Sequence, residues 1–134
     1  MKILFIDAGV LISAIRGTPE VIAKAKEILT ASEASFASSA YVRLEVIPKA
    51  TFHKQENEQA FYEDFFENVS HWAPPGESLV QDAFAVASRA GLSALDALHV
   101  AAARAVGADE LITSEKPGKP IHRVQGITVR TLLS

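Results

Sequence analysis

The sequence predicts an α/β protein in three layers, with helices on both faces of a central parallel sheet of four to five strands. Three observations predict it. Short β-prone apolar runs alternate with segments whose apolar residues recur at helical spacing. Gly and Pro clusters separate the two kinds of segment. At 134 residues the chain has the size of a single domain, 1–134, long enough to bury one real core. Strands that alternate with helices in this way pair in parallel and place helices on both faces.

The elements follow in order. Lys2 to Ile6 is a short apolar run closed by Asp7, and it reads as a buried strand. A helix is expected over Val10 to Ile15, ended at Gly17-Thr18-Pro19. Thr18 then caps a second helix with Pro19 in its first turn, which shows Val21, Ile22, Ala25, Ile28 and Leu29 on one face and ends near Ser32. Ser35 to Ser38 reads as the next strand. Ser38 or Ser39 caps a helix carrying Val42, Leu44, Glu45 and Ile47, disturbed at Pro48. Glu56 to Val69 is amphipathic, with Phe61, Phe65 and Phe66 inward and Glu56, Glu58, Glu63, Asp64 and Glu67 outward. Val69 to Ala73 reads as a strand closed by Pro74-Pro75-Gly76. Helices over Leu79 to Ala90 and Ala94 to Val106 flank Gly91, and Glu110 to Thr113 and Ile127 to Val129 supply the last strands. Trp72 and the three phenylalanines read as core.

Composition narrows the chemistry. There are no cysteines, which excludes disulfides, thiolate catalysis and Cys-based zinc sites. No run is long enough to span a bilayer, and an acid interrupts the N-terminal apolar run too early for a signal peptide, so a cytoplasmic protein is expected. The net charge of -3 excludes a generic basic nucleic-acid binder. Its distribution is uneven. Residues 116–134 hold Lys116, Lys119, Arg123 and Arg130 and no acid, leaving nine of the 13 bases against all 16 acids in residues 1–115. A basic C-terminal segment on an acidic body can meet phosphates or simply face solvent.

In open parallel sheets, ligands bind beyond the carboxyl ends of the strands. Asp7 and Thr113-Ser114-Glu115 fall at that edge. Each acid there has an ordinary reading: Asp7 as an N-cap, Glu45 paired with Lys49 one turn on, Asp96 in a capping box with Ser93, and Glu115 as a loop acid beside Lys116. Asp96 is the hardest to dismiss, since Leu92 to Ala103 is apolar almost throughout and a carboxylate there needs a cation or donors. Taken together, four acids on two strand ends and two helices make an oxygen-rich set suited to Mg²⁺ or Mn²⁺. Such ions activate water and stabilise a leaving oxygen in phosphodiester hydrolysis.

Asp7-Ala8-Gly9-Val10-Leu11-Ile12, Val42-Arg43-Leu44-Glu45-Val46, Leu95-Asp96-Ala97-Leu98-His99-Val100-Ala101-Ala102-Ala103 and Leu111-Ile112-Thr113-Ser114-Glu115 together resemble the motifs of the PIN-domain family, in order and in spacing. The third is the most specific. The resemblance implies that Asp7, Glu45 and Asp96 bind the metal, that Glu115 contributes through water or a second ion, and that Thr113 or Ser114 lies close to a metal-bound water or phosphate. It implies endonucleolytic RNA cleavage dependent on Mg²⁺ or Mn²⁺. Small members resemble VapC toxins, which implies an antitoxin partner and a homodimer. Lys116, Lys119 and Arg123 follow the last acid, within reach of an RNA backbone, and His99 is expected to be packed or hydrogen-bonded.

Two departures stand out. Gly9 occupies a position where the family commonly has a polar residue, and the last acid is Glu115 rather than Asp. They sustain an alternative, a catalytically weak or inactive PIN-like module that binds RNA or protein. Other readings lack their residues. A dehalogenase-like phosphatase needs a second Asp at Gly9, and a nucleotide-binding domain needs a Gly-rich turn or a Walker-type lysine.

Overall fold

A computed structural model describes residues 1–133. Five strands and six helices follow in chain order: β1 (Lys2–Ile6), α1 (Ala8–Arg16), α2 (Pro19–Leu29), β2 (Ala34–Ser38), α3 (Ala40–Phe52), α4 (Glu56–Glu67), β3 (Val69–Trp72), α5 (Glu77–Ala90), α6 (Ala94–Ala105), β4 (Glu110–Thr113) and β5 (Thr128–Thr131). A 3-10 turn at Pro120–Arg123 lies between the last two strands. The five strands form one sheet in the order β3-β2-β1-β4-β5, with every pairing parallel. Helices cover both faces of the sheet.

The caps explain why the helices begin where they do. Asp7, Thr18, Ser39 and Ser93 each accept a bond from a backbone N–H three residues on, satisfying donors that a helix N-terminus leaves open. Gly91, at φ 71°, closes α5 in the left-handed region that favours glycine. Helix α2 stops at Leu29, three residues before the expected Ser32. Helix α3 runs straight through Pro48 to Phe52. Proline removes one bond, to the carbonyl of Leu44, and Leu44 is 66% exposed, so that turn faces water. Helices packed on either side hold α3 together where local propensity would end it.

The core is centred on β1 and β4, where Phe5, Ile6, Leu111 and Ile112 are fully buried. Around them, α1 contributes Val10 and Leu11, and α6 contributes Val100 to Ala103. Two sequence expectations fail at this level. Trp72 packs on Phe66, ring centroids 5.9 Å apart, yet remains 43% exposed. Glu58 points inward rather than outward. It is buried, takes a two-pronged bond from Arg16 at 2.8 and 2.9 Å and accepts the Tyr62 hydroxyl at 2.6 Å.

A second buried acid lies at the start of β4. Glu110 is buried and accepts from Lys2 Nζ at 2.8 Å and Arg130 Nε at 2.6 Å. Arg130, paired with Ile112 in the sheet, thereby ties β5 back to the start of β4. The bond from Lys2, and then the one from Arg130, hold the Glu110 carboxyl below its ordinary 4.5. A folded-state value below the unfolded one stabilises the fold above about pH 4.5 and ceases to do so as the pH falls through the folded value. Thermal melts between pH 7 and 3 should therefore show a steep acid loss in the parent and a shallower one in Glu110→Gln.

Candidate metal centre

The strand order reverses between β1 and β4, because the chain builds β2 and β3 on one side of β1 and returns to lay β4 and β5 on the other. Crevices at such reversals, beyond the carboxyl ends of the strands, are where open sheets bind ligands. Ile6 lies opposite Ile112, and the Asp7 backbone N–H donates to Ile112 O at 3.1 Å. Asp7 is thereby fixed beside Thr113 at the mouth of this crevice.

Asp7 is 4% exposed. Its Oδ1 accepts from Val10 N–H at 3.1 Å, so the N-cap reading holds, and the Thr113 hydroxyl lies close enough to favour its charged form. No cation pairs with it among the described residues. Burial pushes its pKa up from 3.8 to about 6, against the bonds from Thr113 and Val10 and the nearby His99, while the charge of Asp96 adds to the rise. A carboxylate kept from water beside a second carboxylate strongly favours a bound cation.

Glu45 lies on α3 and Asp96 on α6, and the charge of Asp96 is felt at Asp7. Glu45 ignores Lys49 and bonds through Oε1 to His99 Nε2 at 2.9 Å. His99 is 2% exposed and both packed and hydrogen-bonded. A carboxylate only accepts, so the proton sits on Nε2, and His99 Nδ1 is left buried without a partner. Asp96 is half-buried, one turn before His99, and its backbone N–H is capped by Ser93. One further orphan lies at this edge: Ser38 Oγ, buried and unpartnered, one residue beyond the pairing of Ala37 with Phe5.

The other candidates are more dispersed. Thr113 is fully buried, whereas Ser114 and Glu115 are half-buried. Glu115 donates its backbone N–H to Thr113 Oγ1 at 3.1 Å, and its backbone O faces His122 Nε2 at 3.1 Å. Its carboxylate makes no hydrogen bond or ion pair with another described residue. Lys116, Lys119 and Arg123 are exposed on the same loop. Among the described residues, no three His, Asp or Glu side chains close around one point at metal-ligand spacing. The donors nevertheless suit a hard divalent ion: carboxylate oxygens, one of them buried and uncompensated, with orphaned polar atoms beside them.

Sequence reading missed the Arg16–Glu58–Tyr62 cluster. Together with Ile12, Lys49 and His53 it lines a cleft that has Glu45 on its wall. The signal available was Tyr62 one turn after Glu58, a pair that shares a helix face.

The family model described as PIN domain matches residues 4–117. No curated protein matches the chain by sequence. Among solved structures, one similar fold is in a toxin–antitoxin complex from Klebsiella pneumoniae, at TM-score 0.73 and 22% identity over 96% of this chain and 97% of that one. Another is in VapBC2 from Rickettsia felis bound to a DNA fragment from its promoter, at TM-score 0.72 and 15% identity over 96% and 98%. VapBC-1 from nontypeable Haemophilus influenzae gives TM-score 0.70 and 20% identity over 97% and 98%.

Proposed function

The chain belongs to the PIN domain family, and from that membership we propose that it is a Mg²⁺- or Mn²⁺-dependent endoribonuclease, the toxin of a type II toxin–antitoxin pair. One observation carries the reading. Asp7, buried at the strand-order reversal with no cation beside it, has a pKa of about 6 and lies near Asp96. In this reading Asp7, Glu45 and Asp96 hold the ion, with Glu115 contributing from the rim. When bound, such an ion would activate a water and offset the charge of the phosphodiester.

The protein's own residues do the rest. His99 fixes the Glu45 carboxylate through its Nε2 proton, and Thr113 steadies Asp7. Lys116, Lys119 and Arg123, exposed beyond Glu115, meet the RNA backbone by charge. An antitoxin partner is supported by the complexes in which similar folds occur. A homodimer, a cytoplasmic site of action and one PIN-like domain over 1–134 complete the proposal. None of the helices in residues 1–133 is long and apolar enough to cross a membrane.

The test is to incubate partner-free protein with a mixed RNA pool and Mg²⁺ or Mn²⁺, alongside an EDTA lane and Asp96→Asn. Cleavage should appear only with metal and slow at least ~100-fold in the variant, the upper end of what losing a mere outer-shell partner costs. Intact RNA, with no Mn²⁺ uptake by calorimetry, would sink the nuclease. It would favour instead an inactive PIN-like module that binds RNA or protein, a reading consistent with acids that do not converge on one point.

A further inference from the structure

Thr113 and Ser114 are consecutive hydroxyls at the end of β4, but the structure gives them different work. Thr113 is fully buried and committed: its Oγ1 accepts from Glu115 N–H, and the hydroxyl lies close enough to the Asp7 carboxylate to favour its charged form. Ser114 is half-buried, and its hydroxyl makes no hydrogen bond among the described residues. Ser38 Oγ at this edge is also without a partner but is fully buried, whereas Ser114 is only half-buried.

Gly9 explains where that hydroxyl sits. A Cβ on Gly9 would lie 2.1 Å from Ser114 Oγ, and 3.3 Å from both Asp7 Oδ1 and Ser114 Cβ. The hydroxyl therefore occupies the space of a missing side chain, a space that the Asp7 carboxylate also borders. Gly9 stands in the first turn of α1 with φ outside the positive region, so the backbone there has no need of glycine. Glycine weakens a helix relative to alanine. Only the room it leaves gives it a purpose.

We propose that Gly9 is a notch that seats Ser114 Oγ beside Asp7, and that Ser114 is the hydroxyl that positions the divalent cation at this centre. The proposal rests on reading the site as a cation centre. A hydroxyl is a hard oxygen donor of the kind Mg²⁺ and Mn²⁺ accept. The side chain needed at this spot thus comes from β4 across the crevice, not from α1.

The test is calorimetric Mn²⁺ titration of the full chain without RNA, with a thermal melt of each protein. Ser114→Ala should weaken Mn²⁺ binding about tenfold, the scale of a lost supporting partner. Gly9→Ala removes no functional group, yet its methyl can be admitted only if the Ser114 hydroxyl rotates away. It should weaken binding by a similar factor without lowering the melting temperature. The double variant Gly9→Ala/Ser114→Ala should lose no more than either single one, because both remove the same hydroxyl. Gly9→Ser/Ser114→Ala, which returns a hydroxyl from the other side, should recover most of the affinity. Full affinity in Ser114→Ala, additive losses in the double variant, or a Gly9→Ala protein that melts lower and binds normally would each overturn the proposal. A parent protein that takes up no Mn²⁺ would overturn the cation centre itself, a separate and recognisable failure.

Discussion

The Asp7→Asn protein is expected to lose RNA cleavage and, without divalent metal, to melt roughly 10 °C above the parent. Both effects follow from one side chain. Asp7 is buried, and its pKa rises from 3.8 to about 6. At ~1.4 kcal/mol per unit, the charged form costs the metal-free fold about 3 kcal/mol at neutral pH. The sign is that of a raised acid: no penalty below about pH 3.8, a growing one between there and 6, and a constant one above. Asn keeps the cap on Val10, since its carbonyl oxygen accepts as the carboxylate does, and the Thr113 hydroxyl can turn to accept from the amide. The variant should therefore show no loss of stability as the pH rises through 6. Saturating Mn²⁺ should close the gap by stabilising only the parent. Cleavage should fall by more than the ~100-fold ascribed to an outer-shell partner. Melts at pH 5 and 7.5, with and without Mn²⁺, check the claim. An Asn variant that melts lower at pH 7.5 without metal would refute it.

The second large effect is structural. Glu58→Ala should lower stability by about 2–3 kcal/mol, visible as a drop of roughly 10 °C in melting temperature. Glu58 is the hub through which α4 meets α1, holding Arg16 with both oxygens and the Tyr62 hydroxyl with one. The Arg16 side chain is 58% exposed, so it returns to water cheaply and its share is small. Tyr62 is 1% exposed, and without Glu58 its hydroxyl is stranded. That dominates the cost. Tyr62→Phe combined with Glu58→Ala should therefore lose clearly less than the two single changes added together. Strict additivity in a chemical denaturation cycle would mean that the hydroxyl is not the issue.

Glu58 also marks the limit of what the sequence discloses. Helical spacing set it on the polar face with Glu56 and Glu63, and composition assigns an acid to water. Its burial depends on Arg16, 42 residues earlier, and no local pattern records such a partner. Where the information is local, the reading is good. The strands at Lys2 and Glu110, the caps Asp7, Thr18 and Ser93, and the stop at Gly91 each follow from side-chain chemistry within a few residues. Pro48 misleads because packing overrode propensity in α3. At the site, the sequence offered Lys49 as the partner of Glu45, one turn away, and the fold supplied His99 from another helix. Arg130 was grouped with the basic tail by position and is claimed by Glu110 across the sheet.

The strand order also governs when the crevice can exist. Growing from its N-terminus, the polypeptide makes β1, then β2 and β3, and only much later β4, whose Ile112 flanks Ile6. An unfinished chain on the ribosome already carries Asp7, Glu45 and Asp96, yet it lacks Thr113 to steady the first of them and Ser114 to fill the space over Gly9. The crevice at the strand-order reversal is thus among the last features of the fold to assemble during synthesis. That delay is a matter of birth order along the chain.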